Sequence, residues 1–348
     1  SSLKSKAFKA RLGDITNLSG EFYINGLPDL EQTYIFLNLN ESYANLHRLR
    51  NIDFPTEIWD VRASIPEFLS NIGALTYQGN FTGFMNDFVT YGTAYSELGI
   101  IRADLSIKPV QAGTGQLKGN VNTSDLNIGE IFGNKLIGMV SMKGDVRGTL
   151  RNYSIFDLTV NGGFNRFDFK EYSYTNVTVN GNMKNNLFNG QLKVNDPNLK
   201  MNYYGRLDLS SKIPIFDFAT DVQHANLMPL NLLNDSLSKL AFVMKANFEG
   251  KNIDNMQGKI DVSNLAFRNK NNSLFLQNAQ LTNDTLNSNR QLVFKSDIAD
   301  VTVLGNYEFS TIATSFMKLF YNYLPSSSRT DSTQINTNQP LFVDQNNF

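Results

Sequence analysis

Asn176-Val177-Thr178-Val179-Asn180 alternates polar and apolar side chains one residue at a time. A strand sends successive side chains to opposite faces, so this stretch makes a half-buried strand with one wet and one greasy face. The same period recurs in Leu158-Thr159-Val160-Asn161, Gln191-Leu192-Lys193-Val194 and Arg206-Leu207-Asp208-Leu209. It returns in Phe216-Asp217-Phe218, Phe242-Val243-Met244-Lys245-Ala246-Asn247-Phe248, Lys259-Ile260-Asp261-Val262 and Asp300-Val301-Thr302-Val303. Between these stretches lie Asn161-Gly162-Gly163, Asn180-Gly181-Asn182, Asn189-Gly190, Asp196-Pro197-Asn198, Glu249-Gly250 and Gly305-Asn306, which predict turns. Turn signals about every 8–12 residues fit a sandwich, a barrel or a solenoid.

The pattern runs from roughly residue 75 to roughly residue 310 without a linker or a shift in composition, which favours the extended form. A closed barrel of that many strands would be porin-sized, with aromatic girdles and a lipid-facing band. Here the polar face is Asn, Thr, Lys and Asp. The expectation is all-β: an elongated antiparallel sheet of roughly 20 strands, folded over on itself. At ~4.8 Å per strand it would be about 80–100 Å long. Alternation alone fits a dry core between two sheets as well as an open apolar groove.

Only 18% of residues are charged, and 31 Lys+Arg against 32 Asp+Glu leave a net charge of −1. That balance argues against a nucleic-acid partner, which usually demands a basic excess. A 41% apolar content argues against disorder. Cysteine is absent, which removes disulfides, thiol catalysis and Cys-ligated metals. Asn is the favoured polar residue at 45 copies, consistent with many turns. Residues 1–10 have charges but no apolar leader core, and no run of ~18 apolar residues occurs.

Helices are few. Residues 65–72 predict a short one, with Ser64 as N-cap and Pro66 in its first turn. Residues 124–132, closed by Gly133, and 229–240 predict two more. In 311–324, Ile312, Phe316, Leu319, Phe320 and Tyr323 form one helical stripe, and Pro325 stops it. The chain thus divides into a less distinctive stretch 1–64, a body 65–310, an amphipathic helix 311–325 and a polar tail 326–348.

Catalytic chemistry is sparse. The two histidines, His47 and His224, sit in polar surroundings without a sequence-evident nucleophile or ligand set. Gly113-Thr114-Gly115 lacks the third glycine and the following helix of a dinucleotide fingerprint, so it predicts a turn. Asp104, Asp125, Asp145 and Asp157 lack calcium-loop spacing. Sequons such as Asn80-Phe81-Thr82 are a chance product of composition. No enzyme activity, cofactor or metal is expected.

Several phrases resemble one family. They are Tyr77-Gln78-Gly79-Asn80-Phe81-Thr82-Gly83-Phe84, Phe88-Val89-Thr90-Tyr91-Gly92-Thr93 and Leu98-Gly99-Ile100-Ile101-Arg102-Ala103-Asp104-Leu105. Gly115-Gln116-Leu117 with Leu126-Asn127-Ile128-Gly129-Glu130-Ile131-Phe132 belongs with them, as do 240–248 with 252–260, and Gly305-Asn306-Tyr307-Glu308-Phe309 before the helix. In this order they resemble the repeated strand phrases of the TamB family of Bacteroidetes, within the AsmA-like repeating-β-groove group. The resemblance covers most of 65–325, and its motifs are degenerate. It implies a taco-shaped sheet with an apolar lumen, set in the periplasm. It implies an inner-membrane anchor and a C-terminal domain contacting an Omp85-type outer-membrane barrel, both outside this chain, which would then be an internal fragment. It also implies phospholipid transport between two membranes, or assembly of outer-membrane barrels.

Under that reading the lumen would be lined by Leu158, Val160, Val177, Val179, Leu192, Val194, Leu207, Leu209, Phe242, Met244, Phe248, Ile260, Val262, Val301 and Val303. Acyl chains would gain about 0.8 kcal/mol per buried CH₂ there. Ile312, Phe316, Leu319 and Phe320 would plug or gate its mouth near Val301, Val303 and Phe309. The competing class is a chaperone-like module lending a sheet edge to a nascent strand. A third, a carbohydrate-binding adhesin, would want clustered exposed Trp or Tyr, and the chain has one tryptophan, Trp59.

Overall fold

The computed structural model describes residues 1–308 except 30–31, 53–64, 66, 85, 112, 152–153, 235–236, 252, 272 and 287–288. The plug stripe 312–320, Phe309, Ser64, Pro66, Trp59 and the tail therefore lie outside the described residues.

Twenty strands form one antiparallel sheet. β1 (Ser2–Leu12), β2 (Thr16–Asn25), β3 (Tyr34–Asn45), β4 (Ala74–Phe84), β5 (Asp87–Ser96), β6 (Gly99–Gln111) and β7 (Thr114–Ser124) pair in succession. β8 (Leu126–Asn127) is a short spur on β9 (Ile137–Arg151), which pairs with β7 and with β10 (Ser154–Phe169). β11 (Tyr172–Tyr174) folds back on the end of β10. The file continues through β12 (Val177–Lys184), β13 (Leu187–Asn195), β14 (Leu199–Asp208), β15 (Ile215–Asn226), β16 (Lys239–Glu249) and β17 (Gln257–Arg268). It ends with β18 (Ser273–Leu286), β19 (Asn289–Ser296) and β20 (Asp300–Leu304). Among the described residues β1 and β20 each pair on one side only, so the sheet is open. Eighteen strands in file, without the two spurs, span roughly 80 Å at ~4.8 Å per step.

The strands are longer than the turn signals predict, because three of those signals are not turns. Gly162 and Gly163 lie inside β10, Gly181 inside β12 and Gly190 inside β13. The β12–β13 turn is Asn185-Asn186, with both residues left-handed at φ +47° and +60°. That is the geometry a two-residue hairpin of matching twist requires.

The misread glycines have a different function. Register puts Gly144 opposite Gly162, and Gly181, Gly190 and Gly205 side by side on β12, β13 and β14. Gly79 and Gly92 do the same on β4 and β5. All lie in the middle of their strands on one face, where small residues form a crease. A Cβ on Gly162 would stand 2.7 Å from the Lys143 carbonyl oxygen and 2.8 Å from Gly144 Cα. A Cβ on Gly181 would stand 2.5 Å from the Phe188 ring. Glycine inside a strand marks a tight bend or close backbone approach, and here it lets the sheet bend toward that face. Register shifts add local bends in β1, β3, β10, β15 and β17.

The helical pieces gather on one rim, where β3, β7 and β15 end. α1 (Leu46–Arg50) starts at Asn45, whose side chain accepts from the Arg48 N–H at 2.9 Å. α2 (Glu67–Ser70) sits within the predicted 65–72 helix. α3 (Ile128–Phe132) is shorter than the predicted 124–132, because residues 126–127 pair with β9 first. Asn127 caps α3 and left-handed Gly133 ends it. Phe68 stacks on Phe132 at 5.4 Å, and the Asn71 amide donates to the Ile131 carbonyl at 2.8 Å, which joins α2 to α3. The predicted 229–240 helix does not form. Asn231 is left-handed, and Leu232 and Leu233 N–H groups both turn back to the Leu227 carbonyl. The segment folds inward as turns because Leu230 is drawn into a buried cluster.

Gly162 and its neighbour Gly163 test the crease directly. Gly162→Val should destabilise by about 3 kcal/mol, since overpacked side chains have no room to relax. Gly163→Val faces outward, its nearest non-neighbour atom 3.9 Å away, and should change stability by less than about 0.5 kcal/mol. Urea unfolding midpoints of the two variants provide the comparison.

Candidate functional site

Directly opposed residues in an antiparallel ladder share a face, so register can be followed across the whole sheet. From Val177 the row runs through Val194, Met201, Val222 and Phe242. From Val179 it runs through Leu192, Tyr203, Thr220, Met244, Val262 and Ala279. In the other direction Val160 leads to Val146, Gly119, Leu105, Thr90, Phe81, Leu37 and Phe22. Leu158, Leu207, Phe248, Ile260, Val301 and Val303 fall on the same face. Fourteen of the fifteen residues expected to share a face therefore do so by register. Leu209 does not, because β14 stops at Asp208 and Leu209 is an exposed loop residue, its N–H on the Asn186 carbonyl.

The face extends well beyond those positions. Phe22, Leu37, Phe81, Leu105, Leu117, Val146, Phe164, Phe188, Phe218, Leu281 and Phe294 belong to it. Phe81 packs on Phe88 with ring centroids 4.6 Å apart, and Phe216 on Phe248 at 4.6 Å. Among the register-paired residues of this face the charged side chain is Arg290, at its far rim. The opposite face carries Lys118, Arg147, Asp145, Asn161, Asn180, Gln191 and Lys193 in matching rows.

Among the described residues every strand belongs to this one sheet, so no separate second sheet covers the apolar face. Val140, Val177, Val194 and Leu276 are buried near the helical rim and Leu292 near the other, while mid-strand positions such as Val179, Leu192 and Met244 are half-buried. A sheet curled toward this face accounts for apolar rows that are half-buried in the middle and covered at the rims, and the face is accordingly described as a groove.

Two segments lie over the groove. Residues 227–233 bring Leu227 and Leu230 onto Val222 and Ala225, flanked by Tyr172, Tyr174, Leu199, Met201, Leu240, Phe242 and Phe267. At the other rim, beyond β20, Tyr307 donates its hydroxyl to Asn283 Oδ1 at 2.6 Å. Asn283 is buried on the groove face and donates to the Met256 carbonyl. The Arg290 guanidinium lies 4.6 Å over the Tyr307 ring and bonds the Tyr307 carbonyl at 3.0 Å. The chain thus leaves its last strand toward the concave side.

Inside the groove Tyr203 sits between Phe188 and Phe218, with centroids 6.2 and 5.3 Å away. Its hydroxyl is buried without a hydrogen-bond partner among the described residues. Burial, with the Asp217 charge, pushes its pKa up to about 12. It therefore remains a neutral donor at physiological pH. On the helical rim, Asp196 accepts from the Tyr172 hydroxyl at 2.5 Å, from Thr175 N–H and Oγ1 at 2.9 Å each, and from the Asn198 N–H at 2.8 Å. Burial alone would raise its pKa, but these donors hold it below the usual carboxylate range.

Both histidines are rim residues. His47 lies 3.3 Å from Ser70 Oγ, joining α1 to α2, and His224 lies 3.3 Å from the Pro197 carbonyl at a register shift in β15. Among the described residues no group of three or more His, Cys, Asp and Glu is placed to hold a metal ion, and no helix is long and apolar enough to cross a membrane.

Comparison with protein-family models, with curated proteins and with solved structures finds no match. The groove is therefore interpreted from its own chemistry.

Tyr203→Phe should stabilise the fold by about 1 kcal/mol, since it deletes a buried hydroxyl without a partner. The sign with pH follows from the raised pKa. Tyr203 holds its proton more tightly when folded, so its share of stability is present below about pH 10 and is lost as pH rises through about 12. Urea midpoints at neutral pH and near pH 11 should fall less in the variant than in the parent.

Proposed function

We propose that this chain is a segment of a periplasmic conduit that moves phospholipids between the inner and outer membranes, holding acyl chains in its groove. One observation carries the reading: among the described residues an apolar face, uncharged but for Arg290 at its rim, runs across eighteen strands of one open sheet with no second sheet against it. A dry core would be covered by another sheet or by helices. An acyl chain placed on this face is instead stabilised by about 0.8 kcal/mol per buried CH₂ relative to water. Hydrogen-bonding groups are sparse along the rows, so little would fix a ligand in register, and sliding needs that. The resemblance to the TamB family supports the same reading, together with a periplasmic location, an inner-membrane anchor and an Omp85-type barrel partner supplied outside this chain.

The second reading, a module that lends an edge to nascent outer-membrane strands, draws on the open edge of β1. That edge carries Lys4, Lys6, Lys9 and Arg11 without an acidic residue, a composition that discourages strand addition. The groove is the better-supported site.

We also propose that the segment 311–324 covers the groove. Tyr307 bonds Asn283 on the groove face, and Ile312, Phe316, Leu319 and Phe320 supply an apolar stripe that begins five residues later.

The test is lipid binding. The purified chain should carry co-purifying phospholipid, and Phe242→Asp, once shown to fold, should lower binding of a fluorescent fatty acid at least about tenfold, since a charge on this face must be desolvated. Removing 309–348 should increase that binding. A lipid-free protein that ignores the fatty acid, or an aspartate variant that binds it like the parent, would overturn the conduit reading. Unchanged binding after truncation would overturn only the cover.

A further inference from the structure

The convex face has its own feature, unrelated to the groove. Tyr43 on β3, Thr76 on β4 and Tyr95 on β5 stand directly opposite one another in register, all pointing outward. Adjacent strands are ~4.8 Å apart, so the two tyrosines rise roughly 10 Å apart with the small Thr76 between them. This makes a slot with aromatic walls and a hydroxyl floor. Two depressions meet in it. One, of about 290 Å³, reaches from Tyr43 and Thr76 to Glu97; the other, of about 600 Å³, continues past Glu41 and Gln78. They share Thr76 and Tyr95 and together form a furrow along β4.

We propose that this furrow binds an uncharged polysaccharide chain. A pyranose ring has an apolar C–H face and a rim of hydroxyls. A tyrosine offers the matching pair, an apolar ring and a polar tip. The Gln78 amide both donates and accepts, the Thr76 hydroxyl does the same, and the carboxylates of Glu41 and Glu97 accept from sugar hydroxyls. The side-chain polar atoms of Thr76, Gln78, Glu41, Glu97 and Tyr95 make no hydrogen bond or ion pair among the described residues, so they are free to turn to a ligand. The walls carry carboxylates and no Lys or Arg, which selects against sulfated or phosphorylated glycans. On the same strands Tyr23, Phe36, Val89 and Tyr91 also stand outward, but among the described residues the facing pair of tyrosines with a threonine between them is Tyr43–Thr76–Tyr95. Tyr95 is 44% exposed. Tyr204, the exposed ring on β14, has Gln191 and Ala219 beside it and no facing aromatic, so it makes no slot.

The experiment is calorimetric titration of the full chain with neutral hexasaccharides: β-1,4-linked N-acetylglucosamine, cellohexaose and maltohexaose. A heparin hexasaccharide is the charged counterpart. At least one neutral hexamer should bind in the range of about 10 μM to 1 mM, and the heparin hexasaccharide should not. Tyr95→Ala should weaken the binding about tenfold or more, or roughly 1.4 kcal/mol, while Tyr204→Ala leaves it unchanged. Both positions are on the surface, so unchanged circular dichroism and thermal midpoint would show that the variants fold. Absence of binding by every neutral hexamer up to about 10 mM, stronger binding of the heparin hexasaccharide, or equal binding by Tyr95→Ala would each overturn the proposal. Because the furrow and the groove are on opposite faces, fatty-acid binding should be the same in Tyr95→Ala as in the parent.

Discussion

An apolar sheet face that no second sheet covers among the described residues has to hide from water by bending, and the glycine crease is what permits the bend. Each strand alternates, so each contributes a stripe of Leu, Val, Ile or Phe to one face and Asn, Thr, Lys or Asp to the other. Hairpin succession keeps every stripe in register with the last, and the face becomes continuous. Large side chains in the middle of that face would block curvature. Gly79, Gly92, Gly144, Gly162, Gly181, Gly190 and Gly205 leave the space empty. Beside the glycines Val179 and Leu192 are half-buried, while Val177 and Val194 at the helical rim are buried, so the rim segments complete the cover that the bend begins.

The period of two made the all-β class, the single file of strands and the membership of fourteen groove positions legible from the amino-acid sequence. The glycines were misleading. Asn161-Gly162-Gly163 and Asn180-Gly181-Asn182 have the composition of turns, and local propensity cannot distinguish a glycine that turns the chain from one that accepts a close neighbouring strand. Only pairing does so, and pairing is a long-range property. The inward residues between 16 and 150 went unassigned for a related reason. The register shift at Leu39/Ser42 breaks the alternation in β3, and on β4, β5 and β7 the inward positions include Gly79, Thr90, Gly92 and Gly119, which dilute the apolar parity. Leu209 failed because its alternation continues one residue past the last ladder bond. The 229–240 stretch has spaced leucines that read as a helix, but the pull of the Val222–Ala225 cluster outweighs local preference.

The two faces separate two kinds of chemistry. The concave face is apolar and poor in hydrogen-bonding groups, and Tyr203 is its one buried hydroxyl of that size without a partner among the described residues. A ligand held there would be held by area rather than by geometry. The convex face is more polar, in rows of Asn, Lys, Asp and Thr from β6 onward, with outward aromatics such as Tyr23, Phe36, Tyr91 and the Tyr43–Tyr95 pair on β2–β5. The rims differ as well. One carries α1, α2, α3 and the 227–233 cover, tied by Asp196 and His47. The other carries mostly hairpin turns and the Tyr307–Asn283–Arg290 contact. The groove is therefore asymmetric about its crease, with the bulkier covers on a single side.

The central claim is that the concave face, and not the convex one, meets acyl chains along its length. The chain has no cysteine, so single photo-reactive residues and labels can be placed without background. The most direct measurement puts a photo-crosslinking phenylalanine analogue at Phe81, Val179 or Phe294 on the inner face, and at Thr178 or Asn180 on the outer face. Cells are fed radiolabelled phosphate and illuminated. The account predicts labelled lipid attached at all three inner positions and at neither outer one. Equal labelling of both faces, or none at the inner positions of a folded protein, would contradict it.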